Sequence, residues 1–126
     1  MKYLIDTSAW IEYLNGSQEG EKVNTILNKK EEIYVLSIII CEVVSKVKRM
    51  NNNVEIAYSA LIKNSKIFDI TPKISKEAGI VHAQIKEKRG SFSHADSLIA
   101  CSAEALGAKI VTKDNHFDSF KNVIYL

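Results

Sequence analysis

Residues Lys2 to Leu14 read KYLIDTSAWIEYL. Four strand-forming residues, Lys2 to Ile5, run into a carboxylate and two hydroxyls, and helical periodicity takes over from Ala9 to Leu14. The chain therefore opens on a strand that turns directly into a helix. Working outward, the same alternation recurs: helix from Glu21 to Asn28, strand from Ile33 to Leu36, helix from Ile38 to Met50. After a polar Asn51 to Asn53 break come a helix from Val54 to Ile62 and a strand from Lys66 to Ile70. Thr71 is the expected N-cap of the next helix, with Pro72 in its first turn, running to about Lys88 and ended by Gly90. A helix from Ser93 to Leu106 is stopped by Gly107, Lys109 to Val111 is a strand, and Val123 to Tyr125 closes the chain. Short apolar strands separated by helices predict an α/β fold, a mainly parallel sheet covered on both faces.

Composition bounds this reading. With 126 residues, 46% hydrophobic and 25% charged, one proline and no linker or repeat, residues 1–126 form a single domain. A net charge of +2 is too small for charge alone to hold the protein on nucleic acid, so composition names no partner. No apolar run exceeds the four residues of Ile38 to Cys41, too short to span a bilayer, and Asp6 interrupts the start before a signal-peptide core can form. A cytoplasmic protein is expected. Cys41 and Cys101 lie among apolar neighbours without CxxC spacing, which predicts two buried, reduced thiols.

Open α/β sheets bind ligands beyond the carboxyl ends of their strands. Asp6 and Asp114 both follow such ends. Glu42 interrupts an apolar run, Ile38 to Val44, and an ionised carboxylate there needs a partner, for which Lys46 at i+4 is the ordinary choice. Asp6 is placed to cap the helix that follows it, and Asp114 the short Asn115 to Phe120 segment. Asp96, in Ser93-His94-Ala95-Asp96, fits a capping box. Taken one by one, capping explains each Asp. Taken as a set, three Asp and one Glu converging on one sheet edge cannot all stay ionised without cations, and hard oxygen donors of this kind suit Mg²⁺ or Mn²⁺. Asp118, Glu12 and Glu104 are read as surface or outer charges. His82, His94 and His116 lack ligand spacing and are read as packing or surface residues.

LIDTSAWIEYL, the Ser37 to Glu42 spacing, His94 to Ala100 (HADSLIA) and Ile110 to Phe117 (IVTKDNHF) together resemble the PIN domain in order and spacing across nearly the whole chain. The resemblance is closest to the VapC-type toxins of toxin-antitoxin pairs. It implies a three-layer α/β/α sandwich whose acidic residues, here Asp6, Glu42, Asp96 and Asp114, bind Mg²⁺ or Mn²⁺ and cleave RNA, with Thr7, Ser8 and Thr112 as supporting hydroxyls. Asp6 and Asp96 would hold metal, Glu42 would ligate or orient the attacking water, and Asp114 would complete the set. A small antitoxin protein and assembly as a homodimer are further expectations from the resemblance. Competing readings are an RNA-processing PIN nuclease without a toxin role, a receiver-like regulatory module, and a catalytically silent interaction domain. The receiver reading wants an adjacent acidic pair after the first strand, where this chain has Thr7 and Ser8. Setting the quartet aside, the net charge of +2 becomes +6. Its visible clusters are Lys46, Lys48 and Arg49, and Lys86, Lys88 and Arg89, with Lys46 and Lys113 the nearest candidates for phosphate contacts.

Overall fold

The computed structural model describes residues 1–126. The strands are short and depend on their neighbours in the sheet, and four of the six helices begin on a residue whose side chain caps them. Strand β1 (Lys2–Ile5) leads into α1 (Thr7–Asn15) and α2 (Gln18–Leu27), followed by β2 (Glu32–Val35), α3 (Ser37–Arg49) and α4 (Val54–Asn64). Then come β3 (Lys66–Ile67), α5 (Pro72–Lys86), α6 (His94–Leu106), β4 (Lys109–Thr112), a 3₁₀ turn at Asn115–Phe117, and β5 (Val123–Tyr125). Ser17, Asn53 and Thr71 each accept a backbone amide at the head of α2, α4 and α5. Gly107 ends α6 at φ 67°, where a left-handed residue closes the last carbonyls.

The five strands form one sheet in the order β3-β2-β1-β4-β5, and every pairing is parallel. Right-handed crossovers then place α1 to α4 on one face and α5 and α6 on the other, giving the expected three layers. The middle strand is buried along Tyr3, Leu4 and Ile5, with Trp10, Val35, Ile39, Val43 and Val111 fully buried around it. No helix is long and apolar enough to cross a membrane.

Several sequence expectations shift. Strand β3 stops at Ile67 rather than Ile70, because β2 offers it partners only at Tyr34 and Val35 before turning into α3. The helix expected to reach Lys88 ends at Lys86. Cys41 is exposed, unlike buried Cys101. Helix α3 buries Ile39, Val43 and Val47, and Cys41 stands about 200° around the helix from Ile39.

Helix α2 crosses α1 at backbone distance. A Cβ on Gly20 would lie 2.1 Å from the Glu12 carbonyl oxygen, inside the contact of two main chains that no side-chain rotation relieves. Gly20→Ala is therefore expected to force the two helices apart and to cost about 1–3 kcal/mol. Chemical denaturation reads this directly, and an unchanged midpoint would show that α2 can slide.

Candidate functional site

The direction in which the sheet grows reverses at β1. Crossovers from β1 lead outward to β2 and β3 on one side, whereas β4 and β5 lie on the other. A crevice forms at such a switch point, beyond the carboxyl ends of the two strands that flank it, and this is where open α/β sheets take ligands. Here those strands are β1 and β4, ending in Ile5 and Thr112.

Asp6 is anchored at this crevice by main chain and side chain together. Its amide donates to the Val111 carbonyl at 2.9 Å, extending the β1–β4 ladder by one step. Its Oδ2 accepts the Ser8 hydroxyl at 3.0 Å and the Thr112 hydroxyl at 2.9 Å. Each hydroxyl carries one proton, so both are spent on the same carboxylate oxygen. Their free lone pairs take backbone amides in turn: Lys113 donates to Ser8 Oγ and Asp114 to Thr112 Oγ1, both at 3.0 Å. Although Asp6 stands at the N-cap position of α1, its side chain makes no capping bond. It is also only 4% exposed. Burial pushes its carboxyl up to about 6, against the hydrogen bonds from Thr112 and Ser8, and the charge of Asp114 adds to the rise.

Glu42 points to the same edge by a different route. Thr7, next in chain to Asp6, donates to Glu42 Oε1 at 2.8 Å. This contact, and no ion pair with Lys46, is what answers the half-buried glutamate. Asp114 is exposed and, contrary to the capping expectation, makes no side-chain bond to the 3₁₀ turn, which ends at Phe117 and not Phe120. Its position is set through its amide on Thr112.

Asp96 occupies the first turn of α6, a helix that leads back to the start of β4 and so begins at the carboxyl edge of the sheet. The capping box read from the sequence is present: the Asp96 amide donates to Ser93 Oγ and the Ser93 amide to Asp96 Oδ2, each at 3.0 Å. The same Oδ2 lies 3.2 Å from Nδ1 of His116, on the turn just after Asp114. Spacing along the chain could not show this, since the contact crosses from the 3₁₀ turn to another helix. Asp96→Ala is expected to cost about 0.5–2 kcal/mol through lost capping, while Asp96→Asn, which keeps an acceptor, should recover most of that in thermal melts. Equal losses would assign the cost to charge instead.

Hydrogen bonds thus join Asp6, Glu42 and the Asp114 segment, and the 3₁₀ turn brings in Asp96. No three His, Cys, Asp or Glu side chains gather into a preformed metal cage. The donor set is nonetheless all oxygen, and an anion destabilised by burial and by a like charge calls for a cation. Such a site fits Mg²⁺, which keeps several waters and needs only one or two carboxylates, better than a metal held by protein alone.

Other charges at this edge are paired. Glu12 of α1 meets Lys113 at 2.6 Å. Arg89 clasps both carboxylate oxygens of Asp118 and donates to the Asn115 carbonyl at 2.9 Å, so it is not a free basic group. Lys46, Lys48 and Arg49 remain exposed in the last turn of α3, as the helix dipole favours. His82 stacks on His94, ring centroids 3.9 Å apart, and on Phe92, which bears out the packing reading for His82.

Comparison with solved structures returns the same architecture. VapBC2 from Rickettsia felis, bound to a promoter DNA fragment, matches with a TM-score of 0.77 at 21% identity, covering 100% of this chain and 98% of that one. A toxin-antitoxin complex from Klebsiella pneumoniae matches with a TM-score of 0.79 at 18% identity, covering 97% and 95%. Mycobacterium tuberculosis VapC20, described as a sarcin-ricin loop cleaving toxin, gives 0.74 at 14% identity, covering 93% of each chain. At these identities the likeness establishes the fold. No curated protein matches the sequence. The sequence model of the PIN domain, however, matches residues 3–123, nearly the whole chain, and on that ground the chain belongs to the PIN domain family.

Proposed function

We propose that this chain is a divalent-metal-dependent endoribonuclease and the toxin of a toxin-antitoxin pair. The observation that carries the reading is Asp6: a buried carboxylate at the switch point, held by Ser8 and Thr112 and tied through neighbouring residues to Glu42 and Asp114. PIN membership and structural likeness to VapBC complexes and to an RNA-cleaving VapC toxin support it. Asp6 and Asp96 would hold Mg²⁺ or Mn²⁺, with Glu42 and Asp114 completing the set. When bound, the metal supplies positive charge to an attacking water and to the leaving oxygen of a phosphodiester. The chain's own part is positional. Thr7 aims Glu42, Thr112 fixes both Asp6 and the Asp114 amide, and Ser8 ties Asp6 to the end of β4.

Protein freed of contaminating ribonuclease should cut single-stranded RNA with Mg²⁺ or Mn²⁺ and stop in EDTA. Cutting that persists in EDTA overturns the metal role. As a toxin it needs a silencing partner, and a small antitoxin that places an Arg or Lys among the carboxylates would be held by charge-assisted hydrogen bonds. An open recess of about 390 Å³ between α1, α3 and α4, lined by Ile11, Leu14, Val47, Met50 and Ile56, is the surface we assign to that antitoxin's apolar segment. Val43, in contrast, belongs wholly to the core. Assembly as a homodimer in the cytoplasm is part of the same reading. Expression alone should slow growth, and Asp6→Ala should relieve it. If wild type and variant are equally harmless and no small protein co-purifies with either, an RNA-processing nuclease without a toxin role is left.

A further inference from the structure

Lys113 is tied by its backbone to the acidic edge but turned away from it by its side chain. Its amide is bound to Ser8 Oγ and the next residue is Asp114, yet its ammonium lies 2.6 Å from Oε1 of Glu12. Glu12 follows Ser8 by four residues on α1 and so stands on the same helical face, one turn farther from Asp6. The lysine is therefore laid back along α1. The two partners are unequally exposed: about half of the Lys113 side chain faces solvent, whereas that of Glu12 is 16% exposed. The pairing holds the Glu12 carboxyl below its usual range and the Lys113 ammonium above its own, and Lys46 of α3 adds its charge at Glu12. A strand of RNA approaching a group of carboxylates needs a cation beside them, and by chain position Lys113 is the adjacent one.

We propose that Lys113 binds a backbone phosphate of the RNA strand and that Glu12 is its internal competitor, holding the ammonium in the free protein and releasing it as RNA enters. The proposal rests on the nuclease reading, and it concerns binding alone, so metal and cleavage can be left out of its test. Binding of a labelled single-stranded RNA is measured in EDTA by fluorescence anisotropy over a range of salt. Lys113→Met should weaken binding and lower the slope of log affinity against log salt by about 0.7, the value for one phosphate contact on a single strand. Lys113→Arg should restore that slope. Glu12→Gln should tighten binding by about two- to fivefold, the worth of an exposed ion pair. The double variant should match Lys113→Met, since Glu12 acts only through the lysine.

Weaker or unchanged binding in Glu12→Gln overturns the competitor role, because a merely structural ion pair would lose function from either side. A double variant that binds more tightly than Lys113→Met also overturns it, showing that Glu12 acts on RNA other than through Lys113, by its own charge or through Lys46. An unchanged salt slope in Lys113→Met removes the phosphate contact. Wild type that cuts RNA with Mg²⁺ but binds none in EDTA at any salt overturns the Lys113 contact, whereas wild type that neither binds nor cuts RNA overturns the nuclease reading itself, which separates the two failures.

Discussion

Asp6→Asn is expected to make the metal-free protein more stable while removing its RNA cleavage. The carboxyl group of Asp6 ionises at 3.8 when solvated and at about 6 in the folded chain, chiefly because burial penalises the charge. Below the lower value both states carry the proton and the group contributes nothing. Between the two the folded state keeps a proton that the unfolded state has lost, so rising pH takes stability away. Above about 6 both states are ionised and the penalty stays constant, on the order of 3 kcal/mol. An asparagine escapes this cost and still accepts from Thr112 and Ser8. Melts in EDTA should therefore show wild type losing stability from about pH 4 to pH 6 and Asp6→Asn losing less. Near pH 7 the variant should lead by roughly 1–3 kcal/mol. Cleavage should fall at least about 100-fold, beyond what residues that merely support metal ligands usually cost. A variant that is less stable than wild type at pH 7 would make Asp6 a structural anchor after all.

The second large effect lies away from the charges. Between the end of β4 and the start of β5 the chain has no ladder partner, and one fully buried side chain, Phe117, fastens this stretch to the core. The same stretch carries Asp114 and His116. Phe117→Ala should cost about 3–5 kcal/mol, a large share of the total stability of a domain this size. Phe117→Leu fills more of the space and should cost less. In both variants the loss should extend to the site: with the turn loosened, His116 leaves Asp96, Asp114 loses its fixed approach, and Mn²⁺ affinity measured by calorimetry falls. Stability lost with metal affinity intact would show that Asp114 is placed by its Thr112 contact alone.

The sequence was most legible where a signal is local. Asp6 at the end of a strand, the Ser93 and Asp96 capping box, Thr71 before Pro72, and Gly107 after α6 each act within a few residues, and each is found as read. Periodicity likewise marks the buried stripe of α3. What it does not mark is which side of that stripe counts, so Cys41 reads as buried when it faces outward. Helix α2 begins three residues earlier than its period suggests, because Gly20 looks like a breaker when its role is to let two helices touch. The partner of Glu42 is Thr7, 35 residues away, and the partner of Asp96 outside its own turn is His116. These contacts join different elements, and only the order of strands in the sheet could have announced them.

That order also decides when the site comes into being. Strand β1 sits at the centre of the sheet, yet its neighbour β4 is made only after β2 and β3, and the Thr112 hydroxyl that meets Asp6 arrives 106 residues after it. A growing chain on the ribosome can assemble β1, β2 and β3 with their helices and still lack half of what surrounds Asp6. Pairing so distant in sequence is slow to form and comes after the local elements. A chain halted before Lys109 is therefore a fragment without the crevice, and the proposed nuclease would stay inert until β4 has been made.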